Sequence, residues 1–127
     1  MVRSSVTDPD RLASLAARAA SSKQGEAIAV LDVRELITIT DFFVIVSGTS
    51  DRQVKTIADE VVKSLKEHGT RPVRREGEPR AGWVLLDFVD FVVHVFSEEQ
   101  RDYYRLDNLW ADAPVVDWDR KAEAATS

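Results

Sequence analysis

Two strongly apolar runs that meet at an acidic turn constrain this chain more than any other feature. Trp83–Phe88 and Phe91–Phe96 are rich in β-branched and aromatic residues, and only Val89-Asp90 separates them. Two such runs joined by a short connection are typical of a β-hairpin. The stretch also contains an indole, two carboxylates and an imidazole, so the hairpin is the first place where a functional site is expected.

The segments around the hairpin predict an α/β fold. Strands are indicated by short apolar runs between turn residues, and helices by capping residues that precede apolar positions at helical spacing. In chain order the predicted elements are a helix between Asp8 and Gly25, strands at Ala27–Val33 and within Leu36–Ser47, a helix from Ser50 to Gly69, an edge strand at Pro72–Glu76, the hairpin, and a helix from Ser97 to about Trp110. The fold class is therefore α/β, with a mixed sheet of about five strands packed with three helices.

The length of 127 residues predicts a single domain. We place this domain at residues 8–116, after a flexible N-terminus at residues 1–7. Residues 117–127 lose hydrophobic periodicity and are predicted to form a mobile C-terminal tail.

The composition excludes several classes of function. The chain has no cysteine, so it has no disulfide, zinc–thiolate site or thiol nucleophile. It shows neither a secretory signal nor an apolar run of membrane-spanning length, and we expect a cytoplasmic protein without a membrane contact. The net charge of −5 disfavours a dedicated nucleic-acid site, because phosphate contacts need clustered Lys and Arg, and it suits a basic partner.

Asp87, Asp90 and His94 are the residues with the chemistry of an active site. Two carboxylates can hold a divalent metal for nucleotidyl transfer. Side chains on one strand face are two residues apart, however, whereas Asp87 and Asp90 are three apart and straddle a turn. No serine or cysteine near His94 forms a recognisable catalytic pattern, so we expect a half-buried histidine with a hydrogen-bond partner. We predict no catalytic residue, no metal site and no cofactor.

Two further segments have the residue types of an anion site. Ser47-Gly48-Thr49-Ser50 precedes a helix, and free N–H groups at a helix start can bind phosphate. It lacks the glycine spacing and the lysine of nucleotide-binding loops, and Ser50 with Gln53 forms a capping box, so a capped turn is favoured. Arg71–Arg80 contains four arginines but also interleaved glutamates and no aromatic residue, which predicts a solvated loop.

Four segments, in this order, resemble the ribosomal silencing factor (Iojap-like) family. They are VLDV at Val30–Val33, ITDFFVIVSGTSDRQV at Ile39–Val54, WVLLDF-x-DFVVHVF at Trp83–Phe96 and RDYYRLDNLW at Arg101–Trp110. The resemblance covers about Leu12 to Val116. It departs from the family at Val89, where the family commonly has glycine, and a β-branched residue is costly wherever a tight turn requires a positive φ.

The resemblance implies a nucleotidyltransferase-like fold without an active site and a protein that is not an enzyme. It implies binding to the large ribosomal subunit through the fourteenth protein of the L series, near the inter-subunit face. A bound factor would sterically hinder joining of the small subunit and repress translation when nutrients are scarce. The family is also associated with ribosome assembly, and its members can form homodimers.

Together with this resemblance, the hairpin and the helix after it are predicted to form the surface that binds the ribosomal protein. Trp83 is its predicted anchor, because tryptophan is enriched at binding hot spots. The predicted contact residues are Trp83, Asp87, Phe88, Asp90, His94, Tyr103 and Tyr104. Two alternatives stay open: a Mg-dependent nucleotidyltransferase that uses Asp87 and Asp90, and a factor that acts in ribosome assembly only.

Overall fold

A five-stranded mixed sheet organises the chain in the computed structural model, which describes residues 8–104 and 110–126, without the side chains of residues 102–104 and 123–126. The strands are β1 (Glu26–Asp32), β2 (Phe42–Gly48), β3 (Arg74–Glu78), β4 (Trp83–Asp87) and β5 (Phe91–Ser97). Their order across the sheet is β1-β2-β5-β4-β3. Strands β2 and β5 are parallel, and the other neighbouring pairs are antiparallel. The predicted hairpin and mixed sheet are confirmed.

Four helices accompany the sheet in the described residues: α1 (Pro9–Ser22), α2 (Asp51–Glu67), α3 (Glu98–Tyr104) and α4 (Trp118–Thr126). Helix α2 begins as predicted, because the Ser50 hydroxyl accepts a hydrogen bond from the Gln53 N–H at 3.1 Å. The returning bond of the capping box is shifted by one residue, since Gln53 Oε1 accepts from the Thr49 N–H at 2.6 Å. No helix within the described ranges is long and apolar enough to cross a bilayer.

The C-terminal segment differs from its prediction. A mobile tail was expected at residues 117–127, but residues 118–126 form α4 and pack on α1. Ala122 is fully buried beside Leu15, and Lys121 Nζ lies 2.9 Å from Asp10 Oδ2. Contacts with a distant helix therefore fix a segment whose own periodicity is weak. The predicted flexible N-terminus, residues 1–7, lies outside the described residues.

The two faces of the sheet are covered unequally. Helices α1 and α2 bury one face completely, with Val44, Val93 and Leu86 at its centre. On the other face, residues 110–116 cover β1 and β2, and Val115 forms a β-bridge with Leu31. Over β4, β5 and Phe43 at the start of β2, this second face remains only half-buried. We call this part the open face; its half-buried side chains are Phe43, Trp83, Leu85, Asp87, Val92 and His94.

Candidate protein-docking surface

Three cross-strand rows build the open face. Residues paired across neighbouring strands point to the same side of a sheet, so strand register decides which side chains meet. The rows are Trp83–Phe96–Ser47, Leu85–His94–Ile45 and Asp87–Val92–Phe43. Five of the six half-buried side chains of the open face are apolar or aromatic, and the open face is therefore a largely apolar surface on rigid strands.

The indole of Trp83 lies against the backbone of Gly77 on β3. A Cβ atom built at Gly77 would stand 2.6 Å from Trp83 Cε3 and 2.4 Å from the Trp83 carbonyl oxygen. Gly77 also has a φ of +85°, a conformation that side chains disfavour. The glycine thus leaves the space in which the half-buried Trp83 is held, and this predicted anchor lies at one end of the open face.

His94 lies in the middle row among aromatic rings. Its ring centroid is 5.1 Å from that of Phe43, edge-on, and 5.9 Å from that of Phe96, nearly parallel. Burial lowers the pKa of His94 to about 4, which keeps the imidazole neutral near pH 7. The predicted hydrogen-bond partner is wrong for the described part of the chain, where the imidazole packs on aromatic rings instead of forming a hydrogen bond.

Asp87 is bonded within the hairpin, whereas the side chain of Asp90 is exposed beside it. Asp87 Oδ1 accepts a hydrogen bond from the Val89 N–H at 2.8 Å, and Asp87 Oδ2 accepts one from Arg74 at 3.2 Å. Asp90 is exposed, and its carbonyl oxygen accepts from the Asp41 N–H at 3.0 Å. Within residues 8–104 and 110–126, no group of three or more His, Asp or Glu side chains could hold a metal ion. Asp87 instead caps the hairpin turn.

The turn itself is a γ-turn centred on Val89. The Asp90 N–H donates to the Phe88 carbonyl at 2.9 Å, and Val89 has a φ of +75°. The structure thus keeps the positive φ that a β-branched residue disfavours. Phe88 stacks on Phe91 with centroids 4.7 Å apart and is buried in the core on the helix side of the sheet. Phe88 was predicted as a contact residue, but its side chain lies on the opposite face of the sheet from Trp83. There it packs under the turn, in the helix-side core.

Helix α3 is fixed to the sheet by a residue that the sequence analysis missed. Arg101 is buried; its Nη1 donates to the Ala27 carbonyl at 2.6 Å and to Ser47 Oγ at 3.0 Å. Ala27 has a φ of +51° in a bulge of β1, which presents that carbonyl. The position of Arg101 in the sequence could have indicated this contact. A cation in the first turns of a helix opposes the helix dipole, which favours a specific acceptor nearby. The side chains of Tyr103 and Tyr104, both predicted contacts, lie outside the described residues.

A polar cleft of about 300 Å³ lies at the opposite end of the sheet from the γ-turn, between the starts of α2 and α3. Its lining includes Thr49, Arg80 and the acidic residues Asp51, Glu98 and Glu99. The Thr49 and Gln53 N–H groups are already bonded to side chains in the cap of α2. The cleft therefore agrees with a capped turn better than with a phosphate site.

The five-stranded mixed sheet, with α1 and α2 packed on one side, defines this protein as an α/β domain, and the partly exposed apolar surface on the other side is its candidate docking surface. The family model described as "Ribosomal silencing factor during starvation" matches residues 6–127. The chain belongs to this family.

Individual relatives are similar to this chain in sequence and in structure. "Ribosomal silencing factor RsfS" of Bacillus subtilis is 43% identical over 105 residues, which are 83% of this chain and 89% of that protein. A crystal structure of a Chromobacterium violaceum protein superposes with a TM-score of 0.75 at 38% identity, covering 79% of this chain and 83% of the other. The mouse protein named "Mitochondrial assembly of ribosomal large subunit protein 1" is 36% identical over 65% of this chain and 38% of its own length.

Proposed function

We propose that this chain binds the large ribosomal subunit through its open face and thereby hinders joining of the small subunit. The observation that carries the proposal is the open face itself, a half-buried apolar surface around Trp83 in a member of the ribosomal silencing factor family. The action is steric, needs no catalysis, metal or cofactor, and takes place in the cytoplasm. It represses translation when nutrients are scarce.

The chemistry of the open face supports protein docking. Trp83, Leu85 and Val92 are partly exposed and offer apolar area, and strands hold them in place, so little side-chain entropy is lost on binding. Glu76 and Glu78 of β3 pair with Leu85 and Trp83 and lie exposed at the border of the face, where Glu76 is 3.0 Å from Arg74 and Glu78 is 3.7 Å from Arg80. An apolar centre with a charged rim of both signs is typical of a protein interface, and we propose the fourteenth protein of the L series as the partner, as the family resemblance implies.

A role in assembly of the large subunit is a second candidate, and the name of the mouse relative favours it. Both roles require binding to the large ribosomal subunit. They differ in whether the bound subunit is mature or still being assembled. A silencing factor binds mature large subunits and lowers their joining to small subunits, whereas a pure assembly factor binds precursors and leaves the joining of mature subunits unchanged.

Co-sedimentation with purified large and small subunits tests the binding site. We expect wild-type protein to pellet with large subunits only, and Trp83→Ala to weaken this binding about tenfold or more. Trp118→Ala is the matched control, because Trp118 begins α4 and packs on the helix-side core, away from the open face. Equal binding by Trp83→Ala and wild type would remove the open face from the proposal.

Self-association is part of the same proposal. If two copies pair through their open faces, the dimer and the ribosome complex compete for one surface, and dilution of the factor at a fixed concentration of large subunits favours the ribosome complex over the dimer by mass action. Sedimentation velocity of the free protein over a concentration series, with Trp83→Ala beside wild type, measures the dimer. A dimer that survives Trp83→Ala uses another surface.

A further inference from the structure

Exposed apolar side chains gather at the end of the sheet that carries the γ-turn. Ile39 is 83% exposed, Val89 55% and Leu36 47%. They belong to two adjacent segments, loop residues 34–41 and turn residues 88–90, which we call the tip. Single exposed apolar residues are ordinary on a protein surface, whereas several on neighbouring backbone segments mark an interaction site.

The tip is held in one shape. The Val33 N–H donates to the Asp41 carbonyl at 3.0 Å and closes the loop, while Ile37 packs on the core cluster beneath it. The buried Thr40 hydroxyl donates to the Val89 carbonyl at 3.0 Å and joins loop to turn. With Val89 held at positive φ as well, the tip is a preorganised surface, and strain of this kind persists where the surroundings enforce it.

The tip continues the open face. The last row of that face contains Asp87 and Phe43, and both strands run directly from it into the tip through Val89 and Asp41. A partner lying on the open face therefore meets the tip next. The tip is also acidic: it carries the carboxylates of Glu35, Asp41 and Asp90 against a single guanidinium, that of Arg34. Asp32 already binds Arg34 through two oxygens, at 3.0 and 2.6 Å.

We propose that the tip is the second half of the docking surface, and that Ile39 and Val89 contact an apolar spot bordered by basic side chains on the same large-subunit protein. This inference rests on the proposed function. Trp83 lies at the far end of the open face from the tip, so the two contacts hold the partner at both ends. Asp90 adds electrostatic attraction between the tip and the basic side chains of the partner.

Co-sedimentation with purified large subunits, at two salt concentrations, tests the tip. We expect Ile39→Ser to weaken binding about fivefold or more, without loss of folding, because the side chain is almost fully exposed. Val115→Ser is the matched control, since Val115 is 73% exposed at the outer edge of β1. Asp90→Lys is expected to weaken binding more at low salt than at high salt. Binding by Ile39→Ser that equals binding by wild type overturns the inference.

The outcomes for Ile39→Ser and Trp83→Ala separate the inference from the proposed function. If Trp83→Ala weakens binding and Ile39→Ser does not, the tip inference fails and the proposed function stands. If only Ile39→Ser weakens binding, the tip stands and the open face fails. If wild-type protein does not bind large subunits, both fail. If Ile39→Ser instead dissociates a dimer and leaves subunit binding intact, the tip joins two copies of this chain and the inference is overturned.

Discussion

The carboxylate of Asp87 accepts a hydrogen bond from the backbone N–H of Val89 at 2.8 Å, and so caps a turn in which a β-branched residue stands at a φ of +75°. This relationship assigns a structural role to an aspartate that has the chemistry of a metal ligand. It also places backbone strain at the junction of the open face and the tip.

Replacement of Val89 by glycine is expected to stabilise the fold. Glycine adopts positive φ without the steric cost that valine bears, and the exposed Val89 side chain contributes little burial. We expect the free energy of unfolding to rise by about 1 kcal/mol. Urea unfolding measures it, and Val115→Gly is the control, because Val115 is exposed and has no positive φ. A loss of stability in Val89→Gly as large as that in Val115→Gly would show that the turn is unstrained.

The cap predicts a difference between two substitutions of Asp87. Asp87→Ala removes the acceptor of the exposed Val89 N–H and is expected to cost about 1 kcal/mol of unfolding free energy. Asp87→Asn keeps an oxygen acceptor and should cost less than half as much. The ion pair with Arg74 adds little, because the Arg74 side chain is largely exposed. Equal losses in the two variants would place the contribution of Asp87 in its charge and not in the cap.

Gly77 and Gly69 form a matched pair for testing how Trp83 is positioned. Gly69 has a φ of +84°, and a Cβ atom there meets nothing within 4 Å, so Gly69→Ala measures the backbone cost alone, about 1 kcal/mol. Gly77→Ala adds a clash with Trp83 and is expected to be less stable than Gly69→Ala. It should also shift the tryptophan fluorescence and weaken large-subunit binding. Identical behaviour of the two variants would contradict the contact between Gly77 and the indole.

The pH dependence of stability tests the environment of His94. Its folded pKa of about 4 lies below the ordinary 6.5, so between these values the unfolded chain binds more protons than the folded chain. The contribution of His94 to stability is therefore fully present above pH 6.5 and is lost as the pH drops toward 4. Because the ring is only half-buried, we expect a loss of about 1 kcal/mol between pH 7.5 and 5.

Urea unfolding of wild type and His94→Leu at these two pH values measures the effect. The variant lacks the titrating group and should lose less stability on acidification. The range stops at pH 5 because the pKa values of Asp32, bonded to Arg34, and of Asp59, beside Lys55 and Arg75, are lowered and act at more acidic pH. A wild-type protein that gains stability toward pH 5 would contradict an imidazole that stays neutral in the folded protein.

Local signals in the sequence predicted most of the fold. The hairpin, the capped starts of α2 and α3, and the mixed sheet follow from apolar runs, turn residues and capping pairs that act within a few residues of one another. Helix α4 was missed because its stability comes from the packing of its own Ala122 against Leu15 of α1. These two residues are more than 100 positions apart in the chain. No short-range pattern reports such a contact.

The candidate surface was predicted in part. Strand alternation relates Trp83, Leu85 and Asp87 and places Phe88 on the opposite face, so the location of Phe88 could have been read from the sequence. The neighbours of His94 could not have been read from the sequence, because the parallel pairing of β2 with β5 is what brings Phe43 to the imidazole. The tip escaped the sequence analysis for the same reason, since the bond from Thr40 to Val89 spans 49 residues.

Subunit joining, followed by light scattering as purified large and small subunits are mixed, tests the central claim most directly. We predict that wild-type protein, incubated first with large subunits, lowers the amplitude of joining in proportion to its occupancy. Trp83→Ala at equal concentration should restore most of the amplitude, and Trp118→Ala should behave as wild type. Full joining in the presence of saturating, subunit-bound wild-type protein would contradict the steric account.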